Sequence, residues 1–61
     1  MEEEKAIVIA RQIYEFCKNN GKDEEDLVVL CEKLGVRIGE IVKAAYYTGM
    51  KIDLYAGKLK L

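Results

Sequence analysis

The chain contains no histidine, no serine and no proline, and its only side-chain amides are Gln12, Asn19 and Asn20. Without histidine it lacks the commonest general base and the commonest neutral metal ligand, and without serine it lacks the usual hydroxyl nucleophile. The two cysteines, Cys17 and Cys31, do not form a C-x-x-C pair, so no zinc site is recognisable. No glycine-rich phosphate loop is present. No apolar run exceeds five residues, as in Ala6 to Ala10, whereas a membrane-spanning helix needs about 20. These absences exclude the familiar catalytic constellations and argue against a cofactor, a small-molecule substrate or a membrane span. The expected chain is a cytoplasmic non-enzyme.

What is present is apolar or charged: of 61 residues, 51% are hydrophobic and 34% carry charge. Such a composition folds, but a single domain of this length has a marginal core unless it is well packed or shared with a partner. Lysine and glutamate dominate the surface residues, a bias seen in proteins from hot environments and suggesting a thermophilic source. Cys17 and Cys31 fall on apolar stripes and are read as buried thiols, with a bridge as the alternative.

The net charge of −1 conceals an asymmetry. Residues 1 to 26 carry eight acids against four bases, and residues 27 to 61 carry six bases against three acids. Any phosphate contact is therefore expected from the second half, and so small a patch binds weakly and with strong salt dependence.

Periodicity organises the chain into helices over about 3–19, 24–34 and 38–48, followed by a hairpin over about 50–61. In the first, Ala6, Ile9, Ala10, Ile13, Phe16 and Cys17 form a core stripe, while Ile7, Val8 and Tyr14 fall beside or beyond it. Asp23 is the expected N-cap of the second, with Glu24, Glu25 and Asp26 favouring its first turn through the helix dipole. Leu27, Leu30, Cys31 and Leu34 then repeat at helical spacing, Val29 lies off that stripe, and Gly35 suits the left-handed stop. Ile38, Ile41, Val42 and Ala45 begin the third stripe, and Gly49 ends it. Two short helices joined by a tight glycine turn are the pattern of a helix-turn-helix.

The last twelve residues alternate instead. If Ala56-Gly57 is a two-residue turn, Leu54 faces Leu59, Ile52 faces Leu61, Asp53 faces Lys60 and Tyr55 faces Lys58, so both faces agree. Alanine suits such a turn poorly, and a bulged three-residue turn is the alternative. The expected fold is mainly α: a three-helix helix-turn-helix domain with a short C-terminal β-hairpin, a minimal winged helix.

Leu30, Cys31, Leu34, Gly35, Val36 and Ile41 resemble the apolar, small, apolar, glycine, apolar and β-branched positions of the helix-turn-helix superfamily, over about a third of the chain. The stretch EKLGVRIGEIVKAAYYTGMKIDL also resembles the small N-terminal module of bacterial translation initiation factor two, where an LGV turn joins two helices. In size and composition the chain is similar to the very small accessory subunits of archaeal replication and transcription enzymes, such as those of B-family DNA polymerase. Ile38 and Gly39 depart from the superfamily, which commonly opens its recognition helix with polar residues, and this counts against base-specific reading.

The superfamily resemblance implies that the third helix meets DNA. Arg37, Glu40, Lys43, Ala44 and Tyr47 share the face opposite the third apolar stripe, and Lys51, Lys58 and Lys60 add backbone contacts from the hairpin, with Tyr55 beside them. Of the adjacent pair Tyr46 and Tyr47, Tyr46 is expected to be buried, although the superfamily pattern would instead expose Tyr46 and bury Ala44. Ile7, Val8, Tyr14 and Val29 form the expected protein interface. Two functions follow: a DNA-binding protein that contacts the backbone, as a homodimer through its first helix, or a non-catalytic accessory subunit docking on a larger nucleic-acid enzyme.

Overall fold

Helix α1, Glu3–Asn19, opens with two acids in its first turn and closes with Lys18, both favourable to the helix dipole. The structure is a computed structural model that describes residues 3–61. Ala6, Ile9, Ala10, Ile13 and Cys17 are buried along one side of α1, the expected stripe with Phe16 at its half-buried margin. The helix ends where the Gly21 N–H donates to the Lys18 carbonyl (3.0 Å) and the Lys22 N–H to the Cys17 carbonyl (2.9 Å), the paired bonds that satisfy the last carbonyls.

The next three residues correct the sequence reading. Glu24–Asp26 form a strand, β1, rather than the first turn of a helix capped by Asp23. Helix α2, Leu27–Leu34, starts only after it, behind an extended Asp26 that makes no side-chain cap. The cause lies far away in sequence. Glu24, Glu25 and Asp26 pair antiparallel with Lys60, Leu59 and Lys58 of strand β3, Lys58–Lys60, so Glu24 and Asp26 find lysines across the ladder while Glu25 turns inward, 3.5 Å from Lys22. The Leu27 N–H, an orphan of the helix start, donates to the Gly57 carbonyl at 2.9 Å.

Gly35 ends α2 with φ 66° and donates its N–H to the Cys31 carbonyl. That left-handed residue lets the chain turn through Val36 and Arg37 into α3, Ile38–Thr48. Ala44 and Ala45 of α3 are fully or almost fully buried, as are Ala6 and Ala10 of α1, and α1 against α3 is the most extensive helix contact in the molecule. Small side chains on both sides allow that close approach.

Strand β2, Lys51–Asp53, pairs with β3 so that Ile52 faces Leu59 and Asp53 faces Lys58. The expected register is thus displaced by two residues. Because the side-chain period is two, the inward and outward faces survive the shift. The turn spans Leu54 to Gly57, held by the Ala56 N–H donating to Asp53 Oδ1 at 3.0 Å and by Gly57 at φ 70°. A four-residue turn removes the need for alanine in a two-residue one, and it leaves Leu54 exposed. Leu61, freed from its expected partner Ile52, donates its N–H to the Asp23 carbonyl.

The sheet order is β1-β3-β2, all antiparallel. Leu59 of its central strand is fully buried together with Ile13, Cys17, Leu30 and Ile41 of the helices, so sheet and helices share one core. Cys17 and Cys31 are free thiols, the first buried and the second partly exposed. Burial, reinforced by the nearby Glu25 carboxylate, pushes the Cys17 thiol above its usual range. The architecture is mainly α, a helix-turn-helix with a C-terminal hairpin completed by β1, and it is compatible with a small winged helix. No helix among the described residues is long and apolar enough to cross a membrane.

Candidate interaction surface on α3 and the hairpin

The start of α3 is fixed by Glu40, whose Oε1 accepts the Arg37 backbone N–H at 2.9 Å and whose Oε2 lies 3.7 Å from Lys5 Nζ. The Arg37 N–H is the main reason the Glu40 carboxyl sits below its usual range; slight burial opposes this and Lys5 assists it. Glu40 is therefore engaged in ordering the helix. It is not a free contact, as the sequence reading had it.

The inward residues of α3 are Ile41, Ala44 and Ala45, and its outward residues include Ile38, Val42, Lys43, Tyr46 and Tyr47. Two expectations are corrected here. Ala44 is fully buried and cannot touch a ligand, and Tyr46 is 83% exposed rather than buried. The helix takes the rotation of the superfamily pattern, because the close approach to Ala6 and Ala10 of α1 suits an alanine and leaves no place for a phenol ring. Tyr46 and Tyr47 both reach solvent and meet edge to face, with ring centroids 5.6 Å apart. With Val42 and Lys43 they line a shallow hollow.

The hairpin lysines sit on the outer face of the sheet, but they are not equivalent. Lys58 lies 3.6 Å from Asp26 and 3.7 Å from Glu24, and faces Asp53 across the ladder. Lys60 is opposite Glu24 on one side and Lys51 on the other. Among the described residues Lys51, Lys60, Arg37 and Lys43 have no carboxylate within 4.0 Å. The structure thus separates the predicted contacts into Arg37 at the N-cap of α3 with Lys43 and Tyr47 along it, and Lys51, Lys58 and Lys60 on the sheet, and it neutralises Lys58.

Of the predicted protein-interface residues, Ile7, Val8 and Tyr14 are exposed on α1, while Val29 is only partly so. Its neighbour Val28 is the outward valine, at 68% exposure. Sequence reasoning missed Val28, Ile38, Val42 and Leu54 as exposed apolar side chains; spacing alone puts Ile38 and Val42 on the inward stripe of α3. No group of histidine, cysteine or carboxylate side chains among the described residues is placed to hold a metal ion. Compared with known proteins, the chain matches no family model, no curated protein and no solved structure.

Proposed function

We propose that this chain is a non-catalytic accessory subunit that docks on a larger protein through the outward face of α3. One observation carries the reading: where a groove-entering helix needs polar and basic groups, α3 presents Ile38, Val42, Tyr46 and Tyr47 around a single Lys43. Apolar and aromatic side chains grouped on one helix mark protein contact, and tyrosine offers a large rigid surface at low entropic cost. The likeness in size and composition to accessory subunits of nucleic-acid enzymes suggests the class of partner. The test is recovery of the tagged full chain from its native extract after nuclease treatment. A stoichiometric partner should be retained by the native chain and lost with Tyr46→Asp, whose circular dichroism stays native. Equal recovery by both would sink the reading.

A second reading, binding to the nucleic-acid backbone, is favoured by the uncompensated Lys51 and Lys60 together with Arg37 and Lys43. Four neutralised phosphates imply a slope of about −3.6 in log affinity against log salt. Lys43→Glu with Lys60→Glu should abolish duplex binding measured by fluorescence anisotropy, and an unchanged affinity would remove this reading.

A further inference from the structure

We infer that the outward face of α1 is a self-association surface on which two copies of this chain pair with their α1 helices antiparallel. The face is not a uniform solvated one. Glu4, Ile7, Arg11, Tyr14 and Lys18 recur at alternating spacings of three and four, the seam of a two-helix contact. All five are exposed, and Val8 beside them is exposed by more than half. The core stripe of Ala6, Ile9, Ala10, Ile13 and Cys17 lies on another side of α1, and Ile7, Val8 and Tyr14 keep 43%, 54% and 49% of their surface exposed outside it.

Charge decides both the occupant and the direction. The seam starts acidic, with Glu3 and Glu4 in the first turn, and ends basic, with Lys18 in the last. A second copy running parallel would set acid against acid and base against base. Running antiparallel about Arg11, it sets Glu4 against Lys18 of the other copy at each end and Ile7, flanked by Val8, against Tyr14 between them. Arg11 then meets its own counterpart on the two-fold axis, with Glu15 one turn further along each helix to offset the repulsion. Lys18 already lies over the Tyr14 ring, Nζ to centroid 5.4 Å, which holds the ammonium on this face.

The contact is short. A 17-residue helix is about 25 Å long, and a pairing along it alone falls below the usual size of a stable interface, so the dimer should be reversible with a Kd on the order of micromolar to tens of micromolar. This inference does not rest on the α3 reading, and it uses a different helix.

Sedimentation equilibrium of the full chain, from about 10 µM to about 1 mM, tests it. A reversible monomer–dimer equilibrium is expected, and Val8→Glu should leave only monomer with native circular dichroism. Glu4→Lys alone and Lys18→Glu alone should each weaken the dimer about tenfold, and the two together should restore it, because an antiparallel pair regains both complementary ends. The inference is overturned by a monomer at every concentration, by a dimer indifferent to Val8→Glu, by a double exchange as weak as the single ones, or by a dimer lost with Tyr46→Asp instead.

Discussion

The outward face of α3 and the outer face of the sheet were equally eligible as contact surfaces, yet they are built from opposite materials. On α3 the exposed groups are Ile38, Val42, Tyr46 and Tyr47, with Lys43 alone among them. On the sheet every outward residue of the three strands is charged: Glu24, Asp26, Lys51, Asp53, Lys58 and Lys60. The difference teaches how little a charge count along the chain says about charge in space. The acidic half and the basic half are folded against each other, because β1 brings Glu24 and Asp26 to the lysines of β3. What remains basic is a residue pair, Lys51 beside Lys60, rather than half a molecule. Like charges directly opposite on a ladder are unfavourable, so this pair is the one place on the sheet where an anion would relieve repulsion.

The comparison can be broken most severely from beneath. Leu59 is the fully buried side chain by which the charged sheet is anchored among the helices, and Leu59→Ala should cost about 2–5 kcal/mol in denaturant unfolding. A loss under about 1 kcal/mol would mean that the sheet is an appendage and not part of the core.

The two kinds of lysine should then separate. Lys58→Ala removes two ion pairs and should cost about 0.2–1 kcal/mol, less at high salt, whereas Lys51→Glu replaces a like pair with an opposite one and should raise stability by a few tenths of a kcal/mol. Thermal melts of both variants at low and high salt would show the contrast, and equal, salt-independent effects would erase it.

The finest adjustment concerns α3. The Glu40 carboxyl is held below its usual range in the fold, so its contribution is complete above the ordinary carboxylate range and is lost as pH falls through its lowered value. Glu40→Gln should therefore lower the melting temperature at neutral pH and flatten the acid limb of its pH dependence. An acid limb parallel to that of the native chain would show that Glu40 does not order the start of α3.

Much of this architecture was legible in the residues. The α1 stripe, the Gly35 turn and the alternation of the last twelve residues all depend on local spacing, and the structure follows them. β1 was illegible for a physical reason: Glu24, Glu25 and Asp26 have little preference for strand and much for a helix start, and only pairing with residues some 34 positions away makes them extended. The hairpin register slipped by two because alternation specifies a face and not a partner. The rotation of α3 turned on whether alanines or a tyrosine would meet α1, a question decided by the distance between helices. The candidate contacts fared accordingly. Exposure of Ile7, Val8 and Tyr14 followed from a stripe wider than one core can cover, while the fates of Ala44, Tyr46 and Lys58 depended on tertiary neighbours.

The bond from the Leu27 amide to the Gly57 carbonyl has a consequence in time rather than in space. It fastens the first residue of α2 to the turn of the hairpin, so that α2, its turn, α3 and β2 form one closed ring of chain. Closing that ring requires an entropy loss that local helix or hairpin formation does not, which places the joining of β1 to β3 among the slower steps of folding. Hydrogen exchange at the single Leu27 amide should therefore report the opening of that ring.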